Sequence, residues 1–195
     1  FAYLVNAFGT KVTLVEMLPR LLPVEDDEVG DALKKSFTKQ GIRCLTGAKV
    51  TATSDRGDRV EVTFDDGAGP QTVAARACLV AVGVAPVLPG GLQPDLDPRG
   101  YIRIDGRYQA SLPGVYAAGD ITGPPWLAHT ASFEALQAVD GMFVEGHAPR
   151  RLGNFPGCTY CHPQVASVGK TERQLKEEGI DYRVGKIPFM AIGKA

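Results

Sequence analysis

A few cysteines, histidines and strand-terminal acids carry the chemical possibilities of this chain. Cys158, Cys161 and His162 spell Cys-x-x-Cys-His within "CTYCHP", the pattern of covalent haem attachment. Without the His, it is a thioredoxin-like redox pair or half of a zinc site. His162-Pro163 also has the form of a catalytic His-Pro. The surrounding residues weaken each reading. "CTYCHPQVASVG" alternates toward a strand, with Val165 and Val168 apolar and Gly169 as its end. Strand positions three apart point to opposite faces, so these thiols are poorly placed to bridge or share a metal. Cys44 and Cys78 stand singly in separate elements and supply no second pair at zinc spacing. The expectation is small buried strand residues and no metal site.

Four other positions invite a ligand. Glu16 ends a strand in a strand–helix–strand unit, where an acid can accept hydrogen bonds from a dinucleotide's adenosine ribose and repel a 2′-phosphate. It can equally be an exposed strand end. Gly83 in "AVGVAP" stands at the end of another apolar run, either a plain turn glycine or a place where a cofactor meets backbone. In "YAAGD" the small Ala117, Ala118 and Gly119 precede Asp120, a carboxylate suited to a ligand hydroxyl or to capping the next helix. His129 falls in the first turn of a helix after "GPPW", where free N–H groups can hold polar ligand atoms. These residues contain no Ser-His-Asp arrangement, paired carboxylates or Gly-rich phosphate loop.

The elements that must position these groups read as α/β. "FAYLVNAFG" is a helix end stopped by Gly9, and Lys11 to Glu16 is a buried strand. "VEDDEVGDALKKSFTKQG" is an amphipathic helix with acids first, lysines later and Gly41 as its stop. Strand-like pieces follow at "AKVTATSD" and "RVEVTFDDG", and "RACLVAVGVAP" is a continuous apolar strand. This order predicts a parallel sheet covered by helices. Residues 86–113 are rich in Pro and Gly and read as a linker or crossing segment. "GVYAAGD" is a short buried strand, residues 127–146 a helix, and the last part strand, helix ("TERQLKEEG") and strand ("YRVGKIPF").

Composition excludes some partners. Net charge is −1, from 21 basic and 22 acidic residues without a basic cluster, so nothing favours nucleic acid or an anionic membrane. A membrane helix needs roughly 20 apolar residues, and the apolar run from Leu79 is broken by Gly83 and Pro86. Four cysteines in 195 residues make no secreted disulfide scaffold, so a reducing, cytoplasmic setting is expected. The chain opens on Phe1 and closes on "FMAIGKA", which reads as a fragment cut at both ends.

Through "VTLVE", "YAAGD…WLAH" and "CTYCHPQVASVG", the chain resembles the dihydrolipoamide dehydrogenases of the pyridine nucleotide-disulfide oxidoreductase family, over essentially its whole length. The resemblance implies a Rossmann-like NAD-binding domain over 1–85, without its first strand and Gly-rich turn. It implies a crossing segment and returning FAD-domain part over 86–150, and the start of an α+β dimerisation domain over 151–195. It places Glu16, Val50 and Gly83 against NAD, Asp120 on the FAD ribityl chain, and Trp126, Leu127, Ala128 and His129 along the flavin. The family's redox disulfide and catalytic His-Pro have no counterpart here, so no catalytic residue is expected in this chain. The parent would be a homodimer that transfers electrons from dihydrolipoamide through FAD to NAD, within a 2-oxoacid dehydrogenase complex reached by lipoyl domains. Ala110, Trp126 and Ile192 depart from the family's usual Thr, Met and Asn or Ser. A glutathione or mercuric reductase, an NADH oxidase and a non-catalytic NAD-binding fragment are the alternatives. Glu16 argues against an NADP user.

Overall fold

The computed structural model describes residues 1–150 and 153–193. It forms two compact units, Phe1–Cys78 with the stretch from Cys158 onward, and Leu79–Gly157.

The first unit opens with α1 (Ala2–Ala7), β1 (Thr13–Glu16), α2 (Asp27–Lys39) and β2 (Arg43–Thr46). β1 and β2 pair in parallel, Thr13 opposite Arg43 and Glu16 opposite Thr46. α2 carries Asp27 and Glu28 in its first turn and Lys39 in its last, matching the helix dipole at both ends. Its apolar stripe buries Leu33 and Phe37 with Leu21, Ile42 and Cys161, and Val12 and Leu14 pack against that cluster. Burying a side chain such as Phe37 contributes about 2–3 kcal/mol. Gly30 lies inside α2 for a steric reason: a Cβ there would fall 2.4 Å from the Leu21 carbonyl oxygen.

β3 (Lys49–Asp55), β4 (Val60–Asp65) and β5 (Pro70–Ala75) make an antiparallel meander centred on Phe64, which is fully buried. Aspartates shape its turns. Asp55 accepts from Gly57 N–H at 2.8 Å, and Asp65 accepts from Gly67 N–H at 2.8 Å and Gly69 N–H at 3.2 Å.

β6 (Gly157–Thr159) pairs with β7 (Val165–Ser167), and α4 (Glu172–Glu177) follows with a capping box between Thr171 and Gln174. This later segment docks on the acidic start of α2. Ser167 Oγ donates to Glu25 at 3.0 Å, and the Glu172 N–H donates to Asp26 at 2.7 Å. Arg173 reaches Asp27 at 2.8 Å and the Pro23 carbonyl at 2.6 Å, and Lys186 pairs with Glu28.

In the second unit, Ile102, Ala110 and Ala117 form the core with Leu88, Ile104, Val115 and Ile121 around them. α3 (Ala128–Phe143) is its long helix. Asp97 gathers the Arg99 and Tyr101 N–H groups, and Asp105 gathers those of Arg107 and Gln109, so each side chain ties a tight turn.

Several expectations are corrected. Residues 86–113 are no linker: Tyr101, Ile102, Tyr108 and Ala110 are buried, and the aspartate turns give this Pro/Gly-rich stretch its compactness. "RACLVAVGVAP" forms no strand beyond the end of β5, because it has no ladder partner among the described residues; Leu79, Val80, Val82 and Val84 are left exposed. "GVYAAGD" reduces to an isolated bridge between Gln109 and Tyr116, followed by a 3-10 turn at Gly119–Thr122. "YRVGKIPF" has no ladder either. "CTYCHPQVASVG" is two short strands around a turn, so Cys158 is exposed and only Cys161 is buried. The parallel sheet is a two-stranded pair, and the meander beside it is antiparallel.

Candidate functional site

Residues expected around a dinucleotide fall in both units. Glu16 is the last residue of β1, half-buried, and its Oε1 accepts the Leu18 N–H at 2.8 Å. That bond holds the carboxylate at the strand end and leaves the second oxygen for another donor. Its own carbonyl accepts the Ala48 N–H at 3.0 Å, which brings the start of β3, and so the half-exposed Val50, alongside. Gly83 belongs to the second unit, in irregular chain at a positive φ of +132° that favours glycine, with open space where a Cβ would stand.

The other residues cluster in the second unit. Asp120 sits in the 3-10 turn Gly119–Thr122, exposed, and its carboxylate caps no helix. The turn is fixed around it. Gly119, at φ +77°, donates its N–H to Glu134 on α3 at 2.8 Å, and a Cβ on it would come within 2.9 Å of Ala131 Cβ. Glycine is therefore required there twice over, for its φ and for the close approach. Thr122 Oγ1 donates back to the Gly119 carbonyl at 2.8 Å. Neither Glu134 nor Thr122 stands out in the sequence; a carboxylate fifteen positions from its partner gives no local signal.

Trp126, Leu127, Ala128 and His129 lead into α3. Trp126 has a left-handed φ of +50°, is 43% exposed, and lies with its ring 6.3 Å from that of Tyr101. Leu127 is the N-cap and accepts the Ala131 N–H at 3.0 Å, so the N–H groups of Ala128, His129 and Thr130 precede the helical ladder. His129 is exposed, its ring 6.1 Å from Phe155. Thr130 is 3% exposed, and its hydroxyl has no partner among the described residues.

The Cys-x-x-Cys-His string gathers no such site. Burial, with the neighbouring Cys158 thiol adding to it, pushes the Cys161 thiol up, away from a reactive thiolate. The Cys161 Sγ points at the Pro163 carbonyl, 3.1 Å away. Burial likewise raises Cys44, partly offset by the Lys34 ammonium.

Residues 1–135 match the family model of the pyridine nucleotide-disulphide oxidoreductases, and residues 155–195 match that family's dimerisation domain. The chain belongs to this family. It is 44% identical to a dihydrolipoyl dehydrogenase of Chlorobaculum tepidum, over 96% of this chain and 41% of that relative. It is 38% identical to one of Rhizobium etli, over all of this chain and 42% of that one. Among solved structures, the HOCl-induced flavoprotein disulfide reductase RclA from Escherichia coli superposes with a TM-score of 0.85 at 28% identity, covering all of this chain and 45% of its own. LpdA from Mycobacterium tuberculosis gives 0.79 at 28% identity, over 91% of this chain and 39% of its own. The chain thus spans less than half the length of the relatives it matches.

Asp120 offers an exposed carboxylate on a fixed turn that packs against α3, suited to a ligand hydroxyl. Glu16 offers a held carboxylate at a parallel strand end, suited to ribose hydroxyls.

Proposed function

We propose that this chain serves in an NAD-linked flavoprotein that oxidises dihydrolipoamide to lipoamide. The observation that carries the reading is the Asp120 turn, pinned by Glu134 and Ala131 at the mouth of α3. The identity to dihydrolipoyl dehydrogenases supports the choice of substrate. Bound FAD would supply the relay of reducing equivalents between a substrate dithiol and nicotinamide.

The residues here bind and orient. Asp120 accepts hydroxyl hydrogen bonds from the ribityl chain. Trp126, Leu127, Ala128 and His129 would line the flavin, where the first turn of α3 has N–H groups outside the helical ladder. Glu16, its one oxygen tied to Leu18, accepts from the NAD ribose with the other, and its charge disfavours NADP. Val50 and Gly83 would be further NAD contacts, Gly83 because it carries no side chain. Residues 1–85 serve NAD, 86–150 complete the FAD site, and 151–195 begin a homodimer interface, which the dimerisation-domain match supports. A 2-oxoacid dehydrogenase complex, met through lipoyl domains, is the partner. Four cysteines without a disulfide suit the cytoplasm.

The test is a comparison of electron donors and acceptors, using protein of the relatives' full length that carries this sequence. Dihydrolipoamide should bleach the flavin and NAD should restore it. A flavin that answers to glutathione or NADPH instead would replace this reading with a sister reductase, as the likeness to RclA would allow.

A further inference from the structure

Among the described residues the Asp120 carboxylate is exposed and has no hydrogen-bond partner to set its direction; the backbone of its turn must do so. That backbone is gripped from two sides. Thr122 Oγ1 holds the Gly119 carbonyl at 2.8 Å, and Glu134 Oε2 takes the Gly119 N–H at 2.8 Å from α3. Ala131, one helical turn before Glu134, closes the space over Gly119 to a width that admits no Cβ. The Glu134 contact is partly buried, and a carboxylate acceptor makes the bond a charge-assisted one. The side chain is thus spent on one backbone amide, next to the acid expected to meet the cofactor.

We propose that Glu134 is a positioning residue for the flavin: by fixing the Gly119 peptide it aims Asp120 at a ligand hydroxyl. The proposal rests on the reading of Asp120 as a ribityl contact. It assigns α3 a second task beyond presenting its first turn, namely to hold the turn that faces it.

The experiment measures FAD affinity on apoprotein of full family length by flavin fluorescence, with Glu134→Ala, Glu134→Gln, Asp120→Ala and the Glu134→Ala/Asp120→Ala pair. Glu134→Ala should weaken FAD at least about tenfold, because a hydrogen bond to a charged group is lost. Glu134→Gln keeps an acceptor and should stay within about threefold of wild type. In the Asp120→Ala background the Glu134→Ala effect should largely vanish, since the two act through one contact. Full additivity of the two losses would overturn the positioning role while leaving Asp120 as a flavin contact. An Asp120→Ala protein that binds FAD as tightly as wild type would instead remove the underlying reading, and the proposal with it. Thermal melts of the apoproteins separate aim from folding: a Glu134→Ala loss of FAD affinity matched by an equal loss of apoprotein stability would also overturn it.

Discussion

Asp26 stands at the N-cap of α2 yet gives its carboxylate to another helix: its Oδ1 accepts the Glu172 N–H, the first of α4, at 2.7 Å. One residue therefore ties two segments that are 146 positions apart in sequence. Asp26→Ala leaves that N–H without its partner and should cost about 1–2 kcal/mol in denaturant unfolding. Asp26→Asn keeps an oxygen acceptor and should lose less than half as much. Equal losses for the two variants would show that the bond is not what Asp26 contributes.

Gly30 tests the packing of α2. On helix propensity alone, Gly30→Ala should stabilise by roughly 0.5–1 kcal/mol. The Leu21 carbonyl at 2.4 Å from the new Cβ reverses the sign, and a net destabilisation of about 1–3 kcal/mol is expected. A raised melting temperature would contradict the close approach of α2 to the loop after β1.

Acid should act on the second unit through Asp97. The Tyr101 N–H, followed by the Arg99 N–H and guanidinium, holds its carboxyl below the usual Asp range. A depressed folded value means that the unfolded chain binds the proton more readily. The stabilisation is therefore fully present above about pH 3.9, the ordinary Asp value, and fades as pH falls through the lower folded value. An NMR titration of the Asp97 carboxyl should give a midpoint below about 3.9. A midpoint above that value would mean that the turn does not hold the carboxylate.

The thiols of the Cys-x-x-Cys-His string should behave unequally. Cys158 is exposed, whereas Cys161 is buried and its thiol is pushed up by that burial. Timed alkylation read by mass spectrometry should label Cys158 well before Cys161. Simultaneous labelling, or a ready disulfide between them, would restore a redox role for the pair.

The helices and the first two strands of the meander were the legible part of the sequence, whereas β2 and β5 were not read from it. The i, i+4 pair Leu33 and Phe37, with acids before and lysines after, marks α2, and the alternation Val60, Val62, Phe64 marks β4. The stretch 86–113 was not legible, because its order comes from Asp97 and Asp105 collecting backbone N–H groups, which leaves no periodicity. Leu79 to Val84 reads as a buried strand because its composition is that of one, but composition cannot supply the neighbouring strands. At the site, Glu16 and Asp120 are visible as acids at element ends. The support beneath Asp120 is not, because the Glu134–Gly119 bond spans separate elements.

The most direct measurement is reduction of NAD by dihydrolipoamide, with protein of the relatives' full length and its Glu16→Ala variant. The protein should contain flavin and turn over with NAD in clear preference to NADP. Glu16→Ala should raise the NAD dissociation constant about tenfold, the loss of one charged hydrogen bond, and narrow that preference. A protein without flavin, or one that prefers NADP with Glu16 in place, would contradict the proposed function.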